Sequence, residues 1–222
     1  MNTYEIKNYD ELRPNLRVRL MDTKVHADVL QKTVHVPVGC GLALVAYFKV
    51  PEEIAGCEGI ANVPKEMAAI GDIDEGKVIG DAMIGSVAYD MPKLCSMRDA
   101  IFGNKDENYL DGGNASEDML YVLTTEHGLL GASTLFYPGI KEKIAAAVGS
   151  DYYVLPSSVH EVLILPDKGQ MEPKELLHMV KSINETEVAP QDRLCDRVFK
   201  YRIDTKELTV AADVERRRDM ER

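Results

Sequence analysis

The chain has no tryptophan and only 4 phenylalanines among 222 residues, so a core must be filled by aliphatic side chains, Met and Tyr. A chain of this length buries that much apolar surface without covalent staples. Its 4 cysteines, Cys40, Cys57, Cys95 and Cys195, form no C-x-x-C pair and no Cys-His spacing of a zinc finger. They read as free thiols of a reducing compartment. Long apolar runs are missing too. The longest, Leu42 to Phe48, falls far short of the ~20 residues that span a bilayer. The polar stretch Met1 to Asp10 does not resemble a secretory leader. The expected location is the cytoplasm, with no membrane contact. Positive charge is also scarce. The 26 Lys and Arg are outnumbered by 37 Asp and Glu, for a net charge of -11. Such a chain repels phosphate backbones, which argues against direct nucleic-acid binding and leaves a basic protein surface as the partner its charge would attract.

What is present is hairpin and helix patterning. Leu12, Leu16 and Leu20 lie four apart and predict a helix over Asp10 to Met21, with a short helical turn following at Val25 to Leu30. Leu42 to Val50 reads as a buried strand and Gly59 to Val63 as its hairpin partner. Asp74 to Val87 reads as a helix, and Leu94 to Phe102 as short helical or irregular structure. Met119 to Thr124 and Leu130 to Phe136 read as strands. Pro138 and Gly149 bracket a helix. Tyr152 to Leu155 and Val159 to Leu165 are two more strands, Glu172 to Ile183 a helix, and Val198 to Ile203 a strand with which Leu208 to Ala211 pairs. The expected class is α+β: an antiparallel or mixed sheet built from β-hairpins, with helices packed on one face. The domain expected is a single one over residues 1–206. Its sub-halves, 1–102 and 119–206, are joined by an acidic loop at 103–118, whose composition predicts mobility, and a charged tail follows at 207–222.

The run Leu155-Pro156-Ser157-Ser158-Val159-His160-Glu161-Val162 is followed by the helix ending Ile183-Asn184-Glu185-Thr186. After these come the turn Leu194-Cys195-Asp196 and the strand Val198-Phe199-Lys200-Tyr201. Together they resemble a family of unknown function from Firmicute bacteria, including gut Clostridia. Arg19-Leu20-Met21, Val34-His35-Val36-Pro37, Ala88-Tyr89-Asp90-Met91-Pro92 and Ser96-Met97 extend the likeness upstream. Cys195 departs from it, standing where serine is expected. The resemblance implies a fold and a bacterial origin and supplies no activity.

The candidate chemistry centres on Ser158, His160 and Glu161. On a strand Ser158 and His160 share a face, while Ser157, Val159 and Glu161 share the other. A hydrolase would use Ser158 or Ser157 as nucleophile, His160 as base and a carboxylate to orient the ring. Against this stands the spacing, since residues two apart on a strand align poorly for proton transfer and no glycine-flanked nucleophile elbow is present. The structural alternative is a Pro156-Ser157-Ser158 turn whose hydroxyls bond nearby backbone. His127 and His178 add to His160 and Glu161 as metal-ligand types, without a metal-binding spacing. Cys95 is a thiol with His35 or His160 as conceivable base, Gly39-Cys40-Gly41 a backbone turn, and Arg216-Arg217-Arg218 a balanced, solvated cluster. No motif calls for a cofactor or a metal. Three functions follow: a non-enzymatic binding or regulatory protein of a bacterial cell or mobile element, a small hydrolase using Ser157 to Glu161, and an acidic mimic that blocks a nucleic-acid-binding enzyme.

Overall fold

The structure is a computed structural model, and it describes residues 9–50, 59–103, 107–112, 120–156 and 158–214. The chain divides into two compact units, Met1–Met91 and Pro92–Arg222. Both contain antiparallel sheets with helices, an α+β fold.

In the first unit, helix α1 (Tyr9–Leu12) and a 3-10 turn at Arg13–Asn15 lead into strand β1 (Leu16–Asp22). Helix α2 (Ala27–Leu30) precedes β2 (His35–Gly39), β3 (Leu42–Val50) and β4 (Gly59–Asn62). Helices α3 (Lys65–Ile70) and α4 (Glu75–Tyr89) complete it. The apolar run of β3 is the spine. β1 pairs along one edge, and β2 and β4 share the other. Gly39, Cys40 and Gly41 all take left-handed backbone (φ 87, 55 and 71), closing the turn from β2 to β3.

The helix expected over Asp10 to Met21 is corrected: most of it is β1. The same residues carry a period of two, Leu16, Val18 and Leu20 buried and Arg17 and Arg19 half-buried between them. Pairing of Leu16–Asp22 with Leu42–Phe48 satisfies the backbone and decides between the two periods. Helix α4 then seals the β1 edge. Asp74 caps it by accepting the Lys77 N–H, Val78, Ile79 and Ala82 are buried, and the Ser86 hydroxyl accepts the Val18 N–H at 2.9 Å.

The second unit holds a six-stranded sheet in the order β10-β9-β7-β8-β6-β5. Its strands are β5 (Pro92–Ser96), β6 (Tyr121–Thr125), β7 (Tyr152–Leu155), β8 (Val162–Pro166), β9 (Arg197–Arg202) and β10 (Glu207–Asp213). Helix α5 (Met97–Phe102) follows β5, and α6 (Ile140–Val148) and α7 (Pro173–Thr186) are the longer helices. Leu176 and Val180 of α7 pack with Cys95, Val122, Leu155, Leu163 and Val198 on one face of the sheet. The other face carries Tyr152, whose hydroxyl donates to the Lys141 carbonyl of α6. In this unit helices therefore cover both faces rather than one.

Three further expectations change. Leu130–Phe136, expected as a strand, is a 3-10 helix at Gly131–Phe136. There Ser133 Oγ donates to the Leu130 carbonyl and Thr134 Oγ1 to the Gly131 carbonyl, three residues back, tightening the turn. Within the acidic loop, residues 107–112 are tied down. Tyr109 and Leu110 are buried, and Asn108 accepts from Leu94 N–H and donates to the Pro92 carbonyl. Strand β10 occupies the start of the segment expected as a tail, pairing with β9 as Leu208 to Ala211 suggested.

Candidate functional site

The connection from β7 to β8 carries the Ser158-Val159-His160-Glu161 run, and Ser157 lies outside the described residues. Ser158 does not extend a strand of this sheet. It bridges to Arg193 in the turn after α7 and is 5% exposed. Its Oγ accepts the backbone N–H of His160 at 2.9 Å. This is a local side-chain-to-backbone bond of the kind serine makes in turns. The strand expected from Val159 begins only at Val162.

The His160 ring is held from two sides. Nδ1 accepts the Leu130 N–H at 3.2 Å, and Nε2 lies 3.5 Å from Asp192 Oδ1. An N–H can only donate, so Nδ1 is bare and the ring proton sits on Nε2, toward the carboxylate, an assignment made from the bonds. The backbone is tied as firmly. The His160 carbonyl accepts Thr124 Oγ1 at 2.8 Å, the Val159 N–H donates to the Asp192 carbonyl, and the Val159 carbonyl accepts the Ala132 N–H. The motif thus joins three segments: the end of β6, the 3-10 helix after Leu130, and the turn at Asp192.

Of the three candidate residues, the structure brings Ser158 and His160 together, hydroxyl to backbone rather than hydroxyl to ring. The carboxylate that reaches the ring is Asp192, not Glu161. Asp192, Leu130, Thr124 and Gly131 escaped the sequence reading because each is distant along the chain. Gly131 left the only usable signal, a glycine at the start of an apolar stretch. A Cβ there would lie 2.5 Å from Thr124 Oγ1 and 2.7 Å from both the His160 carbonyl oxygen and Thr125 N.

A family model for DUF5688, a family of unknown function, matches residues 1–203. The chain belongs to that family. No curated protein and no solved structure matches it. The DUF5688 match spans the first unit and all of the His160 arrangement, and ends before β10.

The remaining candidates of this DUF5688 protein lie on other elements. Cys95 is buried, its thiol directed at the Val122 carbonyl. Burial pushes its pKa up, against activation as a thiolate. His35 belongs to the first unit, where its Nδ1 donates to the Thr33 carbonyl. Among the described residues no three His, Cys, Asp or Glu side chains gather as a metal site. Among the described residues no helix is long and apolar enough to cross a membrane. Arg216 to Arg218 lie outside the described residues.

Proposed function

We propose that this DUF5688 protein is a non-enzymatic binding or regulatory protein of the bacterial cytoplasm, or of a mobile element, that presents an acidic surface to a basic protein. The observation that carries the reading is the commitment of the Ser158 hydroxyl to the His160 N–H and of His160 Nδ1 to the Leu130 N–H. In a hydrolase the hydroxyl must give its proton to a bare imidazole nitrogen. Here the bare nitrogen is engaged by a backbone donor, and the hydroxyl holds a turn. The acidic balance of the chain, -11, supports attraction of a cationic partner. The reading as a phosphate mimic gains less support, because several carboxylates serve local structure: Asp81 bonds Lys77 and Tyr9, Asp167 bonds Lys200, and Asp204 bonds Arg202. The bacterial origin rests on the Leu155-to-Val162 resemblance.

The test compares wild type with Ser158→Ala and His160→Gln. Each variant loses one buried or half-buried bond, so each is expected to lower unfolding stability by about 1 kcal/mol. Hydrolysis of p-nitrophenyl acetate is expected to match the buffer rate in all three. Ester turnover by wild type that both substitutions abolish would establish the hydrolase instead.

A further inference from the structure

Helix α4 buries Val78, Ile79, Ala82 and Ser86, packing along β1. Its opposite side carries Gly80, Ile84, Val87 and Ala88, at the i, i+4, i+7 and i+8 spacing of one helical stripe. Ile84 is 67% exposed, and Met91, just past the end of the helix, is 51% exposed. Single exposed apolar residues are common on protein surfaces, but a surface helix ordinarily turns charged residues to solvent. From Ala82 to Tyr89 this helix has no charged residue. It is apolar on two opposite sides, and the second of them faces solvent.

The two ends of the helix differ in charge. At the N-terminal end Asp72 and Asp74 are exposed and form no ion pair among the described residues. Glu75, Lys77 and Asp81 are already paired within the unit. At the C-terminal end two cations gather on the Tyr89 ring, Lys49 Nζ at 4.4 Å from its centroid and the Arg17 guanidinium carbon at 4.9 Å. Neither forms an ion pair among the described residues, and Asp90, next in the chain, is buried. The stripe is also uneven in size. Ile84 stands out to solvent, whereas a Cβ at Gly80, one turn earlier, would meet nothing within 4 Å. A knob thus lies beside a notch.

We propose that this face of α4 is an interface with a second copy of the chain, the two helices packing antiparallel about a two-fold axis. An axis at the level of Ala82, the middle of the helix, sets each Ile84 against Gly80 of the other copy, since both residues lie equally far from that level. The same axis brings the Asp72 and Asp74 end of each helix to the Arg17 and Lys49 end of the other. Unlike charges then meet, and the helix dipoles run in opposite directions. A protein of different sequence would have to supply both the notch and the matching charges, whereas a second copy supplies them by symmetry. The interface lies within the first unit and does not depend on the reading given to Ser158 and His160.

The test is sedimentation equilibrium of the full chain from about 1 to about 300 μM, at physiological salt to screen the long-range repulsion between two acidic chains. A single helix pair is a small interface, so a monomer–dimer equilibrium with a Kd on the order of 10 μM is expected. Ile84→Asp removes the knob and should weaken the dimer about a hundredfold. Gly80→Leu fills the notch and should weaken it about tenfold. Lys49→Glu, which sets like charges together, should weaken it severalfold. Ile84 and Lys49 are exposed and Gly80 has open space, so each variant should keep the circular dichroism of wild type. Ile203→Asp, at an exposed apolar residue of the other unit, should leave the dimer unchanged. A wild type that stays monomeric throughout would leave the stripe to a different protein and overturn the proposal. A dimer that Ile84→Asp leaves intact overturns it as well, and so does one that neither Gly80→Leu nor Lys49→Glu weakens.

Discussion

Gly131 sits where the second unit leaves no room for a side chain. Two of the three atoms that a Cβ would strike are backbone, the His160 carbonyl oxygen and Thr125 N, so no rotamer change makes room. Gly131→Ala should therefore cost about 1–3 kcal/mol, the range for overpacking a closed site. Urea unfolding monitored by circular dichroism measures it, and a loss under 0.5 kcal/mol, roughly the scatter of neutral surface changes, would mean the contact relaxes. The neighbouring Leu130 sits in left-handed backbone (φ 53), a conformation that carries a cost for a residue with a side chain. Its N–H donates to His160. At this scale the Ser158 hydroxyl was legible as one that bonds nearby backbone, because serine's short reach confines it to local partners. Asp192 was not legible, since nothing in the residues between 160 and 192 encodes that a loop after α7 returns to the ring.

Helix α4 shows how one element records two different demands in its glycines. At Gly85 a Cβ would lie 2.4 Å from the Leu16 carbonyl oxygen and 2.9 Å from Arg17 Nη1, so the helix can approach the edge of β1 only without a side chain there. At Gly80 a Cβ meets nothing within 4 Å. Substituting alanine separates the two cases. Gly80→Ala should stabilise by about 0.5–1 kcal/mol through helix propensity. Gly85→Ala should destabilise by about 1–3 kcal/mol and speed hydrogen exchange at the Val18 amide, which the Ser86 hydroxyl now holds. Equal effects of the two substitutions would contradict the close approach. The helix itself was readable from Asp74 onward, through its apolar spacing. β1 was not, because Leu12, Leu16 and Leu20 fit a helical period while Leu16, Val18 and Leu20 fit a strand, and only the partner β3 breaks the tie.

Across the whole molecule, the negative balance is offset by a few well-placed ion pairs. Asp167 and Asp81 are 17% and 11% exposed at their side chains. Lys200 holds the Asp167 carboxyl below its ordinary value against the opposing effect of burial. Lys77 does the same for Asp81, aided by the Tyr9 hydroxyl and Arg13. Carboxyls with lower pKa in the folded than in the unfolded state stabilise above about pH 4 and lose that contribution as pH falls through the folded values. Lys200 is raised, chiefly by its hydrogen bond to Asp167. Its share is complete below about pH 10 and fades as pH rises through its folded value. Asp167→Asn should therefore cost about 1 kcal/mol at pH 7, and the gap from wild type should close as both are titrated below about pH 3. Unfolding curves taken from pH 7 to pH 2 measure this, and a gap that stays constant down to pH 2 would remove the ion pair as its source.

By itself the sequence determined the class of fold, since runs of apolar residues bounded by proline and glycine specify hairpins and helices through local backbone preference. It also carried the family, whose model matches residues 1–203. The tertiary structure alone decided that Leu16 to Asp22 is a strand, that Asp192 rather than Glu161 meets His160, and that Arg19 reaches Asn62. Each of these depends on pairing between segments far apart in the chain, and the energy of such pairing resides in the partner's backbone and side chains rather than in the local residues that a periodicity reads.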